Sequence, residues 1–141
     1  MNKTVKILII TVISFALLII LLRLFTNNDN KIYYISLINI IANPDQFNNK
    51  HIRVIGVSRI EFENNAIYIS RESYDNYLSK NGLWIEFGEN YPKENIQAFK
   101  KYNGQYVVVE GIYDMKNKGH MDAFSGAIKR ITRFELLIKR K

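Results

Sequence analysis

The hydrophobic pattern divides the chain in two. From Ile7 to Phe25 (ILIITVISFALLIILLRLF) nineteen residues run without an acidic residue, proline or glycine, and the single charge is Arg23. At about 1.5 Å per residue such a run covers about 28 Å, close to the thickness of a bilayer's hydrocarbon layer. Backbone groups at that depth have no water to bond, so the segment must be helical. Beyond it the apolar positions fall into short stretches, several with period two. Ser36 heads a short helix with Leu37, Ile38, Ile40 and Ile41 on its apolar side, and Asn43-Pro44 stops it, because the residue before proline avoids the helical region. His51 to Glu63 reads as a long strand in which Gly56 marks a bulge or sharp coil. Asn64-Asn65 reads as a two-residue hairpin turn and Ala66 to Ser70 as the returning strand. A short helix then runs from Ser70 to near Lys80, with Asn81-Gly82 as its stop. Leu83, Ile85 and Phe87 alternate with Trp84 and Glu86 as a third strand, and Tyr91-Pro92 opens a helix through Tyr102. Gln105 to Tyr113 (QYVVVEGIY) is the clearest strand; after loop 115–126, Ala127 to Ile138 supplies the last.

Five strands with a helix between the third and fourth predict a mainly β domain with short helices. The expected architecture is an N-terminal transmembrane helix followed by a five-stranded OB-fold-like Greek-key barrel. The predicted boundaries are 1–25 for the anchor, 26–34 for a polar linker, 35–138 for the barrel and 139–141 for a basic tail. Ile41-Ala42-Asn43-Pro44 with Phe47, the run His51 to Val57, Leu83-Trp84-Ile85, the run Tyr106 to Gly111, and Lys118-Gly119-His120 with Phe124 to Ile128 carry a resemblance. Together they make residues 35–137 similar to a widespread group of small, largely uncharacterised bacterial OB-fold proteins, often membrane-anchored or lipoproteins. The resemblance implies a fold and a location, and leaves activity open.

Composition sharpens the location. Lys3, Lys6 and the amino terminus precede the apolar run, which exceeds the ordinary 7–15 residues of a signal peptide and is followed by no small-x-small cleavage site. An uncleaved anchor is expected, in the inner (cytoplasmic) membrane, with the N-terminus cytoplasmic and the C-terminal domain extracytoplasmic by the positive-inside tendency. The chain has no cysteine, which excludes disulfides, thiolate chemistry and lipobox processing. Its net charge of +7 falls to +4 without Lys3, Lys6 and Arg23, and Lys139-Arg140-Lys141 supply three of those four. The domain itself is therefore near neutral, which is not a nucleic-acid footprint.

Candidate chemistry lies mostly on loops. Lys118 and His120, in loop 115–126, and Arg130 just beyond it, are candidate contacts for a ligand or partner. His120 and Ser125 suit equally well hydrogen bonds that fix the loop's own shape. Arg59, Arg71, Tyr68 and Trp84, with Arg53, Tyr74, Tyr77 and Tyr113, supply the charge and rings that a single-stranded nucleic acid would require. Glu61, Glu63, Glu110, Asp114 and Asp122 read as solvated positions rather than a facing catalytic pair. Neither a metal nor a cofactor is expected, since His51 is the only other histidine. These features predict a non-enzymatic module recognising a protein partner, either immunity-type or an envelope accessory. A nucleic-acid-binding OB protein is the other reading.

Overall fold

A computed structural model describes residues 2–25, 31–89 and 91–138 of the chain. They form two compact units, divided after Asn30. The first is a single helix, α1 (Lys3–Phe25), whose twenty-three residues make it about 34 Å long. It is long and apolar enough to cross a membrane, and every residue from Lys3 to Ile20 is exposed. Thr11 Oγ1 donates to the Leu8 carbonyl at 2.8 Å, so the hydroxyl is satisfied within the helix.

The second unit is mixed α/β, built on one six-stranded sheet with short helices. Its elements are β1 (Ile32–Tyr34), α2 (Leu37–Ala42), α3 (Pro44–Phe47), β2 (His51–Glu61), β3 (Asn64–Tyr68), α4 (Arg71–Asp75), β4 (Gly82–Ile85), α5 (Lys93–Phe99), β5 (Tyr106–Asp114) and β6 (Ala127–Leu136). Single 3-10 turns occur at Ser79–Asn81, Lys100–Tyr102 and His120–Asp122. Ser36 and Ser70 cap α2 and α4, their hydroxyls accepting from the N–H groups of Asn39 and Ser73. The strand order is β1-β2-β3-β4-β6-β5, and β2 also pairs with β5, so five strands form a closed circuit of pairings. All pairs are antiparallel except β1–β2 and β4–β6.

Four local expectations change, the first being that the helix expected to reach Lys80 ends at Asp75, where Asn76 caps it, and a separate 3-10 turn follows at Ser79–Asn81. Ile32–Tyr34, assigned above to the linker, pairs with His51–Arg53 as a parallel edge strand. The hairpin turn is Phe62-Glu63, with Glu63 at φ 55°, and the two asparagines belong to β3. Cross-strand register overrides asparagine's turn preference here: Ile60 faces Asn65, and its backbone N–H and C=O on the other edge are both bonded by the Asn103 side chain. Gly56 stays in register with Val107, so there is no bulge, and its missing side chain leaves room for Leu37 and the Tyr68 carbonyl. The register shift lies between β5 and β6, after Glu110, opposite Arg130 at φ 50°.

The circuit encloses the main core. Ile52, Val54, Ile67, Leu83, Ile85, Val109 and Ile128 are essentially without exposure. Each such side chain contributes about 1.5–3 kcal/mol of apolar burial. Phe87, Tyr91, Phe99 and Tyr102 form an aromatic cluster against Phe134, with Phe99 and Phe134 ring centroids 4.5 Å apart. The segment containing α5 thereby packs onto the core.

Candidate interaction surface

The closed sheet has an outer face across β2, β3 and β4, and strand alternation decides what it carries. Arg59, Ala66 and Trp84 stand directly opposite one another, and Tyr68 lies two residues along on the same side as Ala66. Three of the residues expected to contact a ligand are thus brought together. The chain's own segments then cover them. Tyr68 has no exposed surface; its hydroxyl donates to Asn64 Oδ1 at 3.2 Å, and burial pushes the phenol's pKa up. Phe124, 2% exposed, packs against both Tyr68 and Trp84, with ring centroids 6.3 and 5.6 Å away. Gly119 lies so close over Trp84 that a Cβ would come within 2.6 Å of the indole, and its φ of +67° independently favours glycine.

Arg59 is 3% exposed and sits between the rings of Tyr74 and Tyr77, each centroid 3.9 Å from the guanidinium carbon. It donates to the Tyr74 carbonyl at 2.5 Å and to Glu61 at 3.2 Å. Burial opposes its charge, but Glu61 and Tyr77 outweigh burial and hold the pKa above its ordinary value. Arg59 and Tyr68 are therefore interior supports of α4 and the sheet, and Trp84 is half-buried beneath loop 115–126. None offers a free face for base stacking.

The remaining candidates are exposed but do not share one site. Arg71 pairs with Asp75 at 3.1 Å and donates to the Gly104 carbonyl at 2.5 Å, bracing the turn before β5. Arg130 lines a cavity with Glu86, Glu89 and Lys129, whereas Lys118 lines another with Lys80 and Phe124. His120 Nε2 lies 3.6 Å from Glu63, beside the hairpin turn. Ser125 fixes the same loop, its hydroxyl donating to the Lys80 carbonyl at 2.7 Å.

The carboxylates divide differently from expectation. Glu110 is 6% exposed rather than solvated, because the β2–β5–β6 register sets it between Arg53 and Arg133, and it is ion-paired with both. Asp114 is held below the usual carboxylate range by Lys129 at 2.6 Å, with the N–H groups of Lys116 and Asn117 assisting. Among the described residues no three histidine or acidic side chains gather as a metal site.

Outside this covered face lies a surface of which only Tyr77 was among the sequence-based candidates. Phe62 is 89% exposed on the hairpin turn, Met121 85% on loop 115–126, and Tyr77 60% after α4. Glu63, Tyr77, Met121 and Asp122 all have positive φ, between 53° and 55°. The loops are tied by Arg59 between Tyr77 and Glu61 and by Lys80, whose ammonium donates to the carbonyls of Asp122 and Phe124 at 3.0 and 3.4 Å, with His120 lying beside Glu63. The available signal was Phe62 between two glutamates ahead of two asparagines, an apolar residue in a turn-like setting. No family model, curated protein or solved structure matches the chain.

Proposed function

We propose that the protein is a non-enzymatic, membrane-anchored binding module whose loop tips recognise a protein partner. In this reading α1 anchors it in the inner membrane of a bacterial envelope, N-terminus cytoplasmic, and the closed sheet is an OB-type barrel held outside. The strand circuit, the parallel β4–β6 pair and the α5 insertion between β4 and β5 support the barrel assignment.

The observation that carries the functional reading is the pairing of exposed apolar side chains with left-handed backbone on the same loop tips. Phe62, Tyr77 and Met121 bury little in the fold, and positive φ at non-glycine residues costs on the order of 1 kcal/mol or more each. Glu63's conformation serves the hairpin turn and one face of Tyr77 serves Arg59, but the exposed surfaces of Phe62 and Met121 have no partner in the described fold, while rigid aromatic and methionine contacts are what protein interfaces use. The nucleic-acid reading loses support because Arg59, Tyr68 and Trp84 are covered in whole or part by α4 and loop 115–126. A catalytic carboxylate pair loses support because Glu110 and Asp114 are held by Arg53, Arg133 and Lys129. Both an immunity-type inhibitor and an accessory subunit of an envelope complex suit such a surface.

The test is site-specific photocrosslinking of the full chain in its membrane, with benzoylphenylalanine in place of Phe62 or Met121 and, as a control, of exposed Asp45 on α3. A discrete protein adduct from positions 62 and 121 but not from 45 is expected. Absence of that adduct, together with salt-sensitive retention of single-stranded DNA, would replace this reading with the nucleic-acid one. A reporter at the C-terminus should be active only outside the cytoplasm.

A further inference from the structure

We infer that a cavity behind the loop tips is a binding site for an apolar group bearing one anionic head, a carboxylate or a phosphate. It is independent of the partner reading above. The cavity measures about 340 Å³. Ile41 and Pro44 come from the α2–α3 segment, Met115 and Phe124 from loop 115–126, and Lys80 and Lys118 complete the wall. Among the described residues no carboxylate lines it. The size sits at the small end of ligand pockets and suits a ring or short branched chain with its head group.

The two lysines do different work. Lys80 Nζ already donates to the carbonyls of Asp122 and Phe124, so its position is set by the fold and one of its three protons remains for a ligand. Ordering that long side chain is then a cost of folding rather than of binding. Lys118 is exposed and brings a second positive charge from a fixed backbone position. The Phe124 N–H donates to its carbonyl at 3.1 Å, and the neighbouring Gly119 N–H is bonded by Asn117 Oδ1 at 3.0 Å. Met115 adds an unbranched, polarizable wall able to adjust to the ligand's shape. Lys80 and Lys118 are both exposed, so water satisfies them in the free protein, and they stand at the rim of the apolar wall as two positive charges open to an anionic head. The combination fits a molecule that has both parts.

The chain has three methionines, Met1, Met115 and Met121, which gives the experiment an internal control. Full-length protein with ¹³C-methyl methionine, in detergent micelles, is titrated with phenylacetate and with phenyl phosphate. Benzyl alcohol and inorganic phosphate serve as half-ligands. The expected result is a saturable shift of the Met115 methyl with Met121 unmoved, for at least one of the two full ligands and for neither half. Tighter phenylacetate assigns a carboxylate such as a peptide supplies; tighter phenyl phosphate assigns a phosphate head. Lys118→Gln, at an exposed side chain, should weaken binding about fivefold. A Met115 methyl that stays put through about 10 mM of both ligands would overturn the inference. So would equal binding of benzyl alcohol, a matching shift of Met121, or an affinity unchanged by Lys118→Gln.

Discussion

Replacing Phe124 with alanine removes the ring that separates loop 115–126 from the outer face of β3 and β4. Phe124 is 2% exposed and touches Tyr68 and Trp84, within a cluster whose other fully buried members are Ala66 and Tyr68. Deleting a buried phenylalanine costs about 3–5 kcal/mol. The low end, about 3 kcal/mol, applies here because this cluster is small and its cover is a loop able to collapse partway into the gap. Against a total stability of about 5–15 kcal/mol for such a domain, that is a large loss but not a complete one. Trp84 is the only tryptophan, so its emission reports on this contact without labelling. The variant should show a red-shifted, more iodide-quenchable emission and a lower urea midpoint with an unchanged slope. Gly119→Ala acts on the same indole from the opposite direction, by collision, and should give the same optical signature. If Phe124→Ala leaves emission and quenching unchanged and moves stability by less than about 1 kcal/mol, the loop is not the cover described above.

Three other outcomes follow from the packing and the ionic groups. Glu110→Gln should cost about 2 kcal/mol in urea unfolding, less than a wholly buried pair, since Arg53 and Arg133 keep 23% and 38% of their side-chain surface in water. Gly56→Ala should cost about 2 kcal/mol by thermal unfolding, because its Cβ would lie 2.6 Å from both Leu37 Cδ1 and the Tyr68 carbonyl oxygen, and trimming Leu37 relieves only the first. Burial, with Asp114 and Asp45 nearby, pushes the Tyr113 phenol up to about 12. Since that lies above the unfolded value of about 10, its contribution is complete below about pH 10 and is lost as pH rises toward about 12. Tyr113→Phe should flatten the melting temperature over that alkaline range, while losing about 1 kcal/mol at neutral pH with the hydrogen bond to the Ser125 carbonyl.

Legibility followed the range of the interactions. Helix α1, the cap at Ser36, and the strands β5 and β6 are local and were readable from the sequence pattern alone. The two-residue shift of the hairpin turn was not, because Asn103, some forty residues away, fixes the edge of β2 at Ile60. Strand β1 is three residues long and pairs in parallel with a non-adjacent segment, so no local pattern announces it. Period two made it legible that Trp84 lies on the opposite face from Leu83 and Ile85, and the register sets Arg59 and Tyr68 on Trp84's side. That α4 and loop 115–126 would close over them depends on distant contacts, as does the placing of Glu110 between two arginines. The exposed Phe62 and Met121 escaped notice for a simpler reason: an isolated apolar residue in a polar turn carries no periodicity.

The closed circuit of strands also governs when the fold can appear. β6 supplies the partner that both β4 and β5 require, and β2 must meet β5 across half the domain. A chain that emerges amino-terminus first therefore keeps one edge of β4 and one edge of β5 unpaired until residues 127–136 have followed. High contact order of this kind makes folding slow as well as late. Pairings among β2, β3, β4 and β5 do not need β6, but the circuit closes only when β6 joins the open edges of β4 and β5.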